Sequence, residues 1–530
     1  MVIQLVLGEV SAYIALAFGL FFFLYAAKYY LSMLIILLGR SAPGGNGNNP
    51  ANGNGGANHN HRFADKILWH FNNQWNNHHG DDNQQSRGVD SAPLVSIHLP
   101  FYNEKNVADR ILTACSRLNY PNYEIVVVDD STDETLEILS KWREKMGPPT
   151  IKIVHRSERI GFKGGALAEA LTHTDPRAEY VIVFDADFIP PPDIIREFLW
   201  YFEMANKNHN GNHNHGANSD SPIGEVKAWK RNGEIAAVQG YQMHCLNRGE
   251  NWLTRGVRVE YSGSYMVERV AEEFFGAMKM VAGSVFMVRA DLLRKHGWST
   301  SLTEDWDLTV RLYLDGYKVV FTPLVQAAAE IPSTVQRLAK QRMRWAEGHT
   351  FAVRKYFWRV LVSPRISWRE KLEFLFFSPY YLQPLFLLLG TSFWSTAEVI
   401  PRALRLISPQ LIPEGLRFIP FWTATLGWAL VLFNLAALPL MGLTGLYMER
   451  TARRDFTGIL SCIALSYVLT PFQAYAALKG LLEAREGVWV RTPKTGKITD
   501  LILKVRLRKV LRWVLPRGRR GLRRGALKEE

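Results

Sequence analysis

Two acids one residue apart, Asp185 and Asp187, end the apolar run VIVFDADF, and a second acidic pair, Glu304 and Asp305, sits in STSLTEDWDLTV. In extended chain, residues two apart point the same way, so Asp185 and Asp187 can hold one hard divalent ion, Mg²⁺ or Mn²⁺, through carboxylate oxygens. Mg²⁺ keeps waters and binds through a few carboxylates plus substrate phosphates, which suits a donor whose leaving group is a nucleoside diphosphate. A pair of solvated loop acids is the alternative. Glu304 and Asp305 fall in the first turn of a helix opened by Thr303, where the helix dipole alone favours acids. They also fit the one base that a single displacement needs to take a proton from an acceptor hydroxyl, with Asp305 as the candidate. The dipole would lower its pKa and burial would raise it, a contest the sequence leaves open. In STVQRLAKQRMRWAEGHT, Gln341, Arg344 and Trp345 share one helical face. An indole gives a sugar ring a stacking surface, and Arg and Gln give hydrogen bonds. A membrane-surface aromatic and basic pair reads the same.

The elements that must position these groups alternate. LVSIHLP, YEIVVVDD, TIKIVHR and YVIVFDAD are β-branched runs, and NVADRILTACSRL and DETLEILSKWREKM between them carry the helical period. That order predicts an α/β fold with a mostly parallel sheet covered by helices on both faces, and ligands at the carboxyl ends of the strands. Polar residues gather there: Tyr102 and Glu104 after the first strand, Asp129 and Asp130 after the second. An acid at such an end accepts from a ribose or base, and a tyrosine stacks; Asp130 equally suits a turn or an N-cap. In RIGFKGGAL, glycines loosen a turn before a helix and Lys163 stands ready for phosphate, or the segment is simply a tight turn.

The chain has 530 residues, 47% of them hydrophobic, and a net charge of +14. A basic protein meets anionic membranes, anionic substrates or nucleic acid, and the hydrophobic segments turn the reading away from nucleic acid. These segments run from about Val10 to Leu38, Phe374 to Thr396, Phe418 to Tyr447 and Phe456 to Leu482. The first is too long for a signal-peptide core and reads as an anchor in which Lys28 snorkels. Lys and Arg follow it and none precede it, so the central region should be cytoplasmic in a multi-pass cell-membrane protein. The basic stretches before and after the fourth segment both look cytoplasmic, which a re-entrant bend at Pro471 would reconcile. The expected organisation is an anchor (1–40), an Asn/Gly-rich linker (41–92), a catalytic domain (93–365) with a flexible insert near 205–232, an interfacial and membrane region (366–487), and a basic amphipathic tail (488–530). Three scattered cysteines imply neither disulfides nor a zinc site.

Together, DDSTD, FKGGAL, FDADF, TEDWD, EIPSTVQR and QRMRW resemble the motifs of processive, membrane-embedded family 2 glycosyltransferases, the group of cellulose, hyaluronan and chitin synthases. They are most similar to cellulose synthase-like mannan and glucomannan synthases, from about Leu94 to Trp345 and loosely on to VWVRTPKTGK. The resemblance implies a GT-A type domain set between transmembrane helices and an inverting, processive synthesis of a β-linked polysaccharide from UDP-glucose, another UDP-hexose or GDP-mannose, with the growing glycan secreted across the bilayer. It implies that Tyr102, Glu104, Asp129, Asp130, Lys163 and Asp185 hold the donor, that Asp187 and Asp185 hold Mg²⁺ or Mn²⁺, and that Asp305 with Glu304 is catalytic. Gln341, Arg344, Trp345, Gly283 and Ser284 would hold the acceptor; the small-residue loop at Gly283 departs from the plant form. Two alternatives stand beside this reading: a non-processive lipid glycosyltransferase resembling ceramide glucosyltransferases, and a non-enzymatic membrane scaffold.

Overall fold

The structure, a computed structural model, describes residues 2–38, 92–146, 150–209, 234–407 and 421–499. Most of the expected linker, much of the insert and most of the basic tail lie outside them.

The chain opens with α1 (Val2–Leu38) and enters an α/β domain: β1 (Val95–Phe101), α2 (Ala108–Cys115), β2 (Tyr123–Asp129), α3 (Thr135–Met146), β3 (Ile151–His155), α4 (Phe162–His173), β4 (Tyr180–Val183) and α5 (Ile194–His209). Its second half holds β5 (Ile235–His244), α6 (Trp252–Gly263), α7 (Arg269–Phe275), β6 (Phe286–Arg289), α8 (Ala290–His296), α9 (Glu304–Leu314) and β7 (Lys318–Ala329). The seven strands are ordered β3-β2-β1-β4-β6-β5-β7. All pairs are parallel except those of β6, which runs antiparallel to both neighbours. The sheet is a mixed GT-A-like core.

The strands read as unbroken apolar runs because both faces are covered. Ile97, Leu99, Ile125 and Val127 pack with Ile111 and Phe198 on one side, whereas Val126 and Val128 meet Ala166 and Ala170 on the other, and Val181 and Val183 meet Leu308 and Leu312. Two buried polar side chains, Ser96 and His98, interrupt β1; the His98 Nε2 lies 2.7 Å from Thr174 Oγ1, and burial pushes its pKa down to about 3, so it is neutral. The fourth strand is shorter than its sequence suggests. It ends at Val183, and a turn closed by the Phe188 N–H on the Asp185 carbonyl (3.1 Å) places Asp185 and Asp187 in a loop instead of an extended run.

After the sheet come α10 (Val335–Val362), α11 (Trp368–Phe377), α12 (Gln383–Trp394), α13 (Ile400–Ile407), α14 (Phe421–Met448), α15 (Ala452–Asp455) and α16 (Gly458–Leu482). Among the described residues, four stretches, Gly8–Leu38, Trp368–Val399, Thr425–Met448 and Gly458–Leu482, are long and apolar enough to cross a membrane. The second is broken at Ser378–Pro379.

Two expectations are corrected here. Pro471 lies inside one continuous helix, so α16 is not a re-entrant pair of half-helices. Both ends of α16 pack against residues of the expected catalytic domain: Gly458 against Arg255 of α6, and Gly480 against Glu347 of α10. Small residues at Gly458, Ala476, Ala477 and Gly480 let the helix lie close along the domain. Its outward face, with Leu460, Tyr467 and Tyr475 more than half exposed, is apolar. Lys28 does not snorkel; its ammonium is held inside the fold by Glu373 (2.6 Å), Glu272 (3.7 Å) and Glu268 (3.8 Å).

Candidate active site

The acids of β4's exit, the first turn of α9 and the start of α4 converge on one cavity of about 690 Å³ that also admits α10 and the membrane helices. Lys163 is its hub. Gly161 takes a left-handed conformation (φ 71°) and turns the chain into α4, which delivers Lys163 beneath the end of β4. Its ammonium lies 2.7 Å from Asp185 Oδ1 and 3.4 Å from Glu304 Oε1, and donates to the Gly283 carbonyl at 2.8 Å. Burial alone would lower the pKa of Lys163, but Asp185 and Glu304 outweigh it and hold the group charged.

Asp305 stands on α9 beside Gly283, whose φ of 74° admits no ordinary side chain and whose missing Cβ would fall 3.1 Å from the Asp305 carboxylate. Burial raises the Asp305 pKa to about 7, the Glu304 carboxylate adds to the rise, and Lys163 opposes it. Burial therefore outweighs Lys163, Arg344 and the Trp306 N–H, which pull the other way. The Trp306 N–H donates to Asp305 Oδ1 at 2.8 Å and leaves the other oxygen to the cavity. Thr303 sits at the N-cap without a side-chain capping bond. Asp307 faces away, paired with Arg311 (2.8 Å) and Lys355 (3.0 Å), and fastens α9 to α10.

Gln341, Arg344 and Trp345 all line the cavity. Arg344 donates to the Leu302 carbonyl at 3.2 Å, and Trp345 stacks under Arg342 at 4.6 Å. Of the small-residue loop, Gly283 faces the cavity, whereas Ser284 is buried and its Oγ accepts the Asp185 N–H at 3.0 Å, so it positions the acid from behind. Val285, the next residue, is β-branched at φ 55°, a strained conformation at the edge of the site.

The strand-end residues of the first two strands are already engaged. Asp129 takes His155 Nδ1 at 2.9 Å; Asp130 is neither N-cap nor free, since Arg156 holds it through two nitrogens at 2.7 and 2.6 Å. Tyr102 carries the Arg159 guanidinium on its ring at 3.7 Å. Glu104 meets Arg491 at 3.2 Å, and burial lifts its pKa to about 7 against that partner.

Arg491 belongs to residues 483–499, the stretch that holds VWVRTPKTGK, for which the sequence suggested no site role; it runs from the end of α16 back across the domain. Glu486 accepts from Ser301 Oγ and the Leu302 N–H, both at 2.7 Å. Trp489 stacks on the guanidinium groups of Arg159 (4.5 Å) and Arg344 (5.0 Å). Lys494 reaches Asp187 at 2.7 Å, and the Thr495 and Gly496 N–H groups bond Glu330. Burial would raise the Asp187 pKa, but Lys494 holds it below the usual carboxylate range. The segment has neither helical nor strand period; its signals are the loose resemblance at VWVRTPKTGK and the density of Trp, Arg and Lys after an apolar helix.

The site suits an anionic donor and a hard cation. Arg159 Nε, Arg344 Nε and Trp489 Nε1 are buried donors without a hydrogen-bond partner among the described residues, and donors of this kind suit phosphate oxygens. Asp185 and Asp187 supply oxygen ligands of the type Mg²⁺ or Mn²⁺ prefers, and each is now neutralised by an ammonium, Lys163 or Lys494. Among the described residues no three His, Cys, Asp or Glu side chains cluster as a ready-made metal cage. Two carboxylates completed by substrate phosphates are the arrangement that fits.

Residues 92–348 match the family model described as Glycosyltransferase like family 2. Among curated proteins, the chain is 29% identical over 382 residues to a probable glucomannan 4-beta-mannosyltransferase 7 of Oryza sativa subsp. japonica, covering 67% of this chain and 59% of that one. It is 26% identical to the glucomannan 4-beta-mannosyltransferase 1 of the same species over 78% of this chain and 72% of that one. The chain thus spans less than two thirds of the first of these relatives. A mannosyltransferase of Pyrobaculum calidifontis, solved with GDP-Man and Mn²⁺, aligns with 74% of this chain and 96% of its own at 19% identity and a TM-score of 0.41, too loose a likeness to bear on the chemistry.

Proposed function

We propose, from the premise that residues 92–348 are a glycosyltransferase domain of family 2, that this protein moves a hexose from a nucleoside-diphosphate sugar to an acceptor hydroxyl at the cavity's polar mouth and so builds a β-linked glycan. The observation that carries the reading is Asp305: a cavity-facing carboxylate with a pKa of about 7, beside a buried, charged lysine. At neutral pH such a group takes a proton readily and still ionises. The acceptor oxygen bonds to the anomeric carbon, the bond from that carbon to the diphosphate breaks, the nucleoside diphosphate leaves with the electron pair, and the hydroxyl proton goes to Asp305. One displacement inverts the anomeric centre, so an α-linked donor gives a β-linked product.

Lys163 and Arg344 stand where charge builds on the leaving diphosphate, and Tyr102 with Arg159 and Trp489 forms a stack suited to a base. Mg²⁺ or Mn²⁺ on Asp185 and Asp187 would supply further neutralisation of the diphosphate when bound. Trp345, Tyr261 and Tyr381 offer faces to the acceptor sugar. The domain faces the cytoplasm, where nucleotide sugars are found, with α1, α12 and α14 in the membrane. Because relatives are named as glucomannan 4-beta-mannosyltransferases, a mannosyl donor, GDP-mannose, is the first to try, with UDP-glucose next. The test is to incubate nanodisc-embedded protein with each donor and Mn²⁺, size the product and determine its anomeric linkage. A β-linked oligomer or polymer from one donor supports the reading; an α-linked product would exclude the single displacement.

A further inference from the structure

The run EIPST, residues 330–334, joins β7 to α10. The chain leaving β4 crosses the end of β7 in the antiparallel sense, with Ile189 opposite Ala328 and the Ile189 N–H donating to the Ala328 carbonyl at 2.8 Å. Counting outward from that bridge sets Glu330 opposite Asp187, and the Glu330 N–H donates to Asp187 Oδ2 at 3.2 Å. The rest of the run is equally fixed. Asn247 takes both backbone groups of Ile331, accepting from its N–H at 2.8 Å and donating to its carbonyl at 2.9 Å. Pro332 has no N–H to satisfy. The Ser333 carbonyl accepts from Asn251 at 2.8 Å, and Thr334 caps α10 by accepting the Arg337 N–H at 3.3 Å. One short connector thus ties the loop of Asp187 to the helix that carries Gln341, Arg344 and Trp345.

The Glu330 side chain, 1% exposed, closes a ring around Asp187. Its Oε1 accepts from Arg110 Nη2 at 3.0 Å, and the same nitrogen donates to the Asp187 carbonyl at 3.0 Å. Its Oε2 accepts the N–H groups of Thr495 (2.9 Å) and Gly496 (3.2 Å), the two residues after Lys494, whose ammonium lies 2.7 Å from Asp187 Oδ2. The backbone of Asp187 and its counter-cation are therefore both referred to one carboxylate. As a plain stabilising ion pair the arrangement is poor. Arg110 meets Glu330 through one nitrogen instead of a two-nitrogen fork, and its Nε and Nη1 are buried with no partner among the described residues. What it does achieve is orientation: Asp187 is engaged at its carbonyl and at Oδ2, and among the described residues no hydrogen bond takes Oδ1.

We propose that Glu330 is a positioning residue for the metal and diphosphate end of the site: through Arg110 and the backbone of residues 495–496, its carboxylate holds Asp187 so that one oxygen stays free for a divalent cation. This rests on the reading of Asp187 as a metal ligand in the transferase, whereas the link from Glu330 to residues 495–496 stands apart from it. Partners behind a ligand set metal affinity by roughly 10- to 100-fold. A glutamine at 330 keeps the volume and one acceptor oxygen, but its amide must face either the Arg110 guanidinium or the two N–H groups, donor against donor. One of the two links is then lost.

The test uses the full chain in nanodiscs and follows Mn²⁺ binding by isothermal titration in the presence of GDP and, in parallel, of UDP, so no turnover is needed. Glu330→Gln should weaken Mn²⁺ binding by on the order of tenfold or more. Without metal, hydrogen–deuterium exchange should quicken in the peptides that hold residues 187–189 and 494–497. Glu330→Gln combined with Arg110→Met removes both buried charges and so spares the fold: its Tm should return toward the parent value while Mn²⁺ binding stays weakened. Recovery of Mn²⁺ binding together with Tm would reduce Glu330 to a structural ion pair and overturn the proposal. So would parental Mn²⁺ binding in a single variant whose exchange has quickened, or exchange that does not change at all. A parent protein that shows these shifts yet transfers sugar from no donor would sink the transferase reading and leave the role of Glu330 standing. No Mn²⁺ binding by the parent with either nucleotide would overturn both.

Discussion

Replacing Asp305 by Asn separates catalysis from stability in a way few other assignments would. The Asp305 carboxyl sits at about 7 against an ordinary 3.8 because it is buried and faces Glu304, with Lys163 only partly compensating. A raised acid is protonated in the fold at low pH and must be ionised there at high pH. Its contribution is harmless below the unfolded value near 4 and turns progressively unfavourable as pH rises to about 7, where it levels off. The difference between 7 and 3.8 sets an upper bound of about 4 kcal/mol, and water entering the cavity reduces it. Asp305→Asn should therefore be as stable as the parent near pH 4 and more stable above pH 7, by several degrees in Tm. The same variant should lose on the order of 10²–10⁴ in transfer rate. In the parent, transfer should rise with pH to a plateau above about 7, as the base loses its proton. Fluorescence-detected thermal unfolding at pH 5 and pH 8, beside a transfer assay, checks both halves. An Asn variant that is active, or whose stability gain is the same at both pH values, would refute the reasoning.

Lys494→Met leaves Asp187 buried without its cation, which should cost about 3–5 kcal/mol and lower Tm; Asp187→Asn on that background should restore part of it. Arg258 is 2% exposed and paired with Glu449 at the end of α14. Arg258→Met alone should destabilise strongly, and Arg258→Met with Glu449→Met should recover most of the loss, read as a double-mutant cycle in thermal unfolding. Chelation with EDTA should weaken donor binding and abolish transfer, Mn²⁺ or Mg²⁺ should restore both, and Asp185→Asn with Asp187→Asn should make binding insensitive to the metal, as isothermal titration would show.

The strands and helices were legible because unbroken β-branched runs and helical period are local, whereas only the family resemblance brought FDADF, TEDWD and QRMRW together, since they lie far apart in the chain. The misread parts depend on contacts distant in sequence. Nothing near Asp187 announces Lys494, 307 residues away, and nothing near Lys28 announces Glu373, so Asp187 reads from sequence as a metal ligand or a solvated loop acid, and Lys28 as a snorkelling lysine. Hydropathy gave α16 the length and composition of a span but not its direction, since only small residues facing Arg255 and Glu347 make it lie along the domain. Asp130 shows the same limit: its partner, Arg156, is set by the parallel pairing of β2 with β3.

The measurement that bears most directly on the central claim is nucleoside-diphosphate release by the nanodisc-embedded protein, with GDP-mannose and UDP-glucose each supplied with Mn²⁺, for the parent and Asp305→Asn. Release from one donor, stimulated by acceptor and lost in the variant, is the predicted result. Donors left intact by the parent, or acceptor-stimulated release undiminished in the variant, would contradict the account.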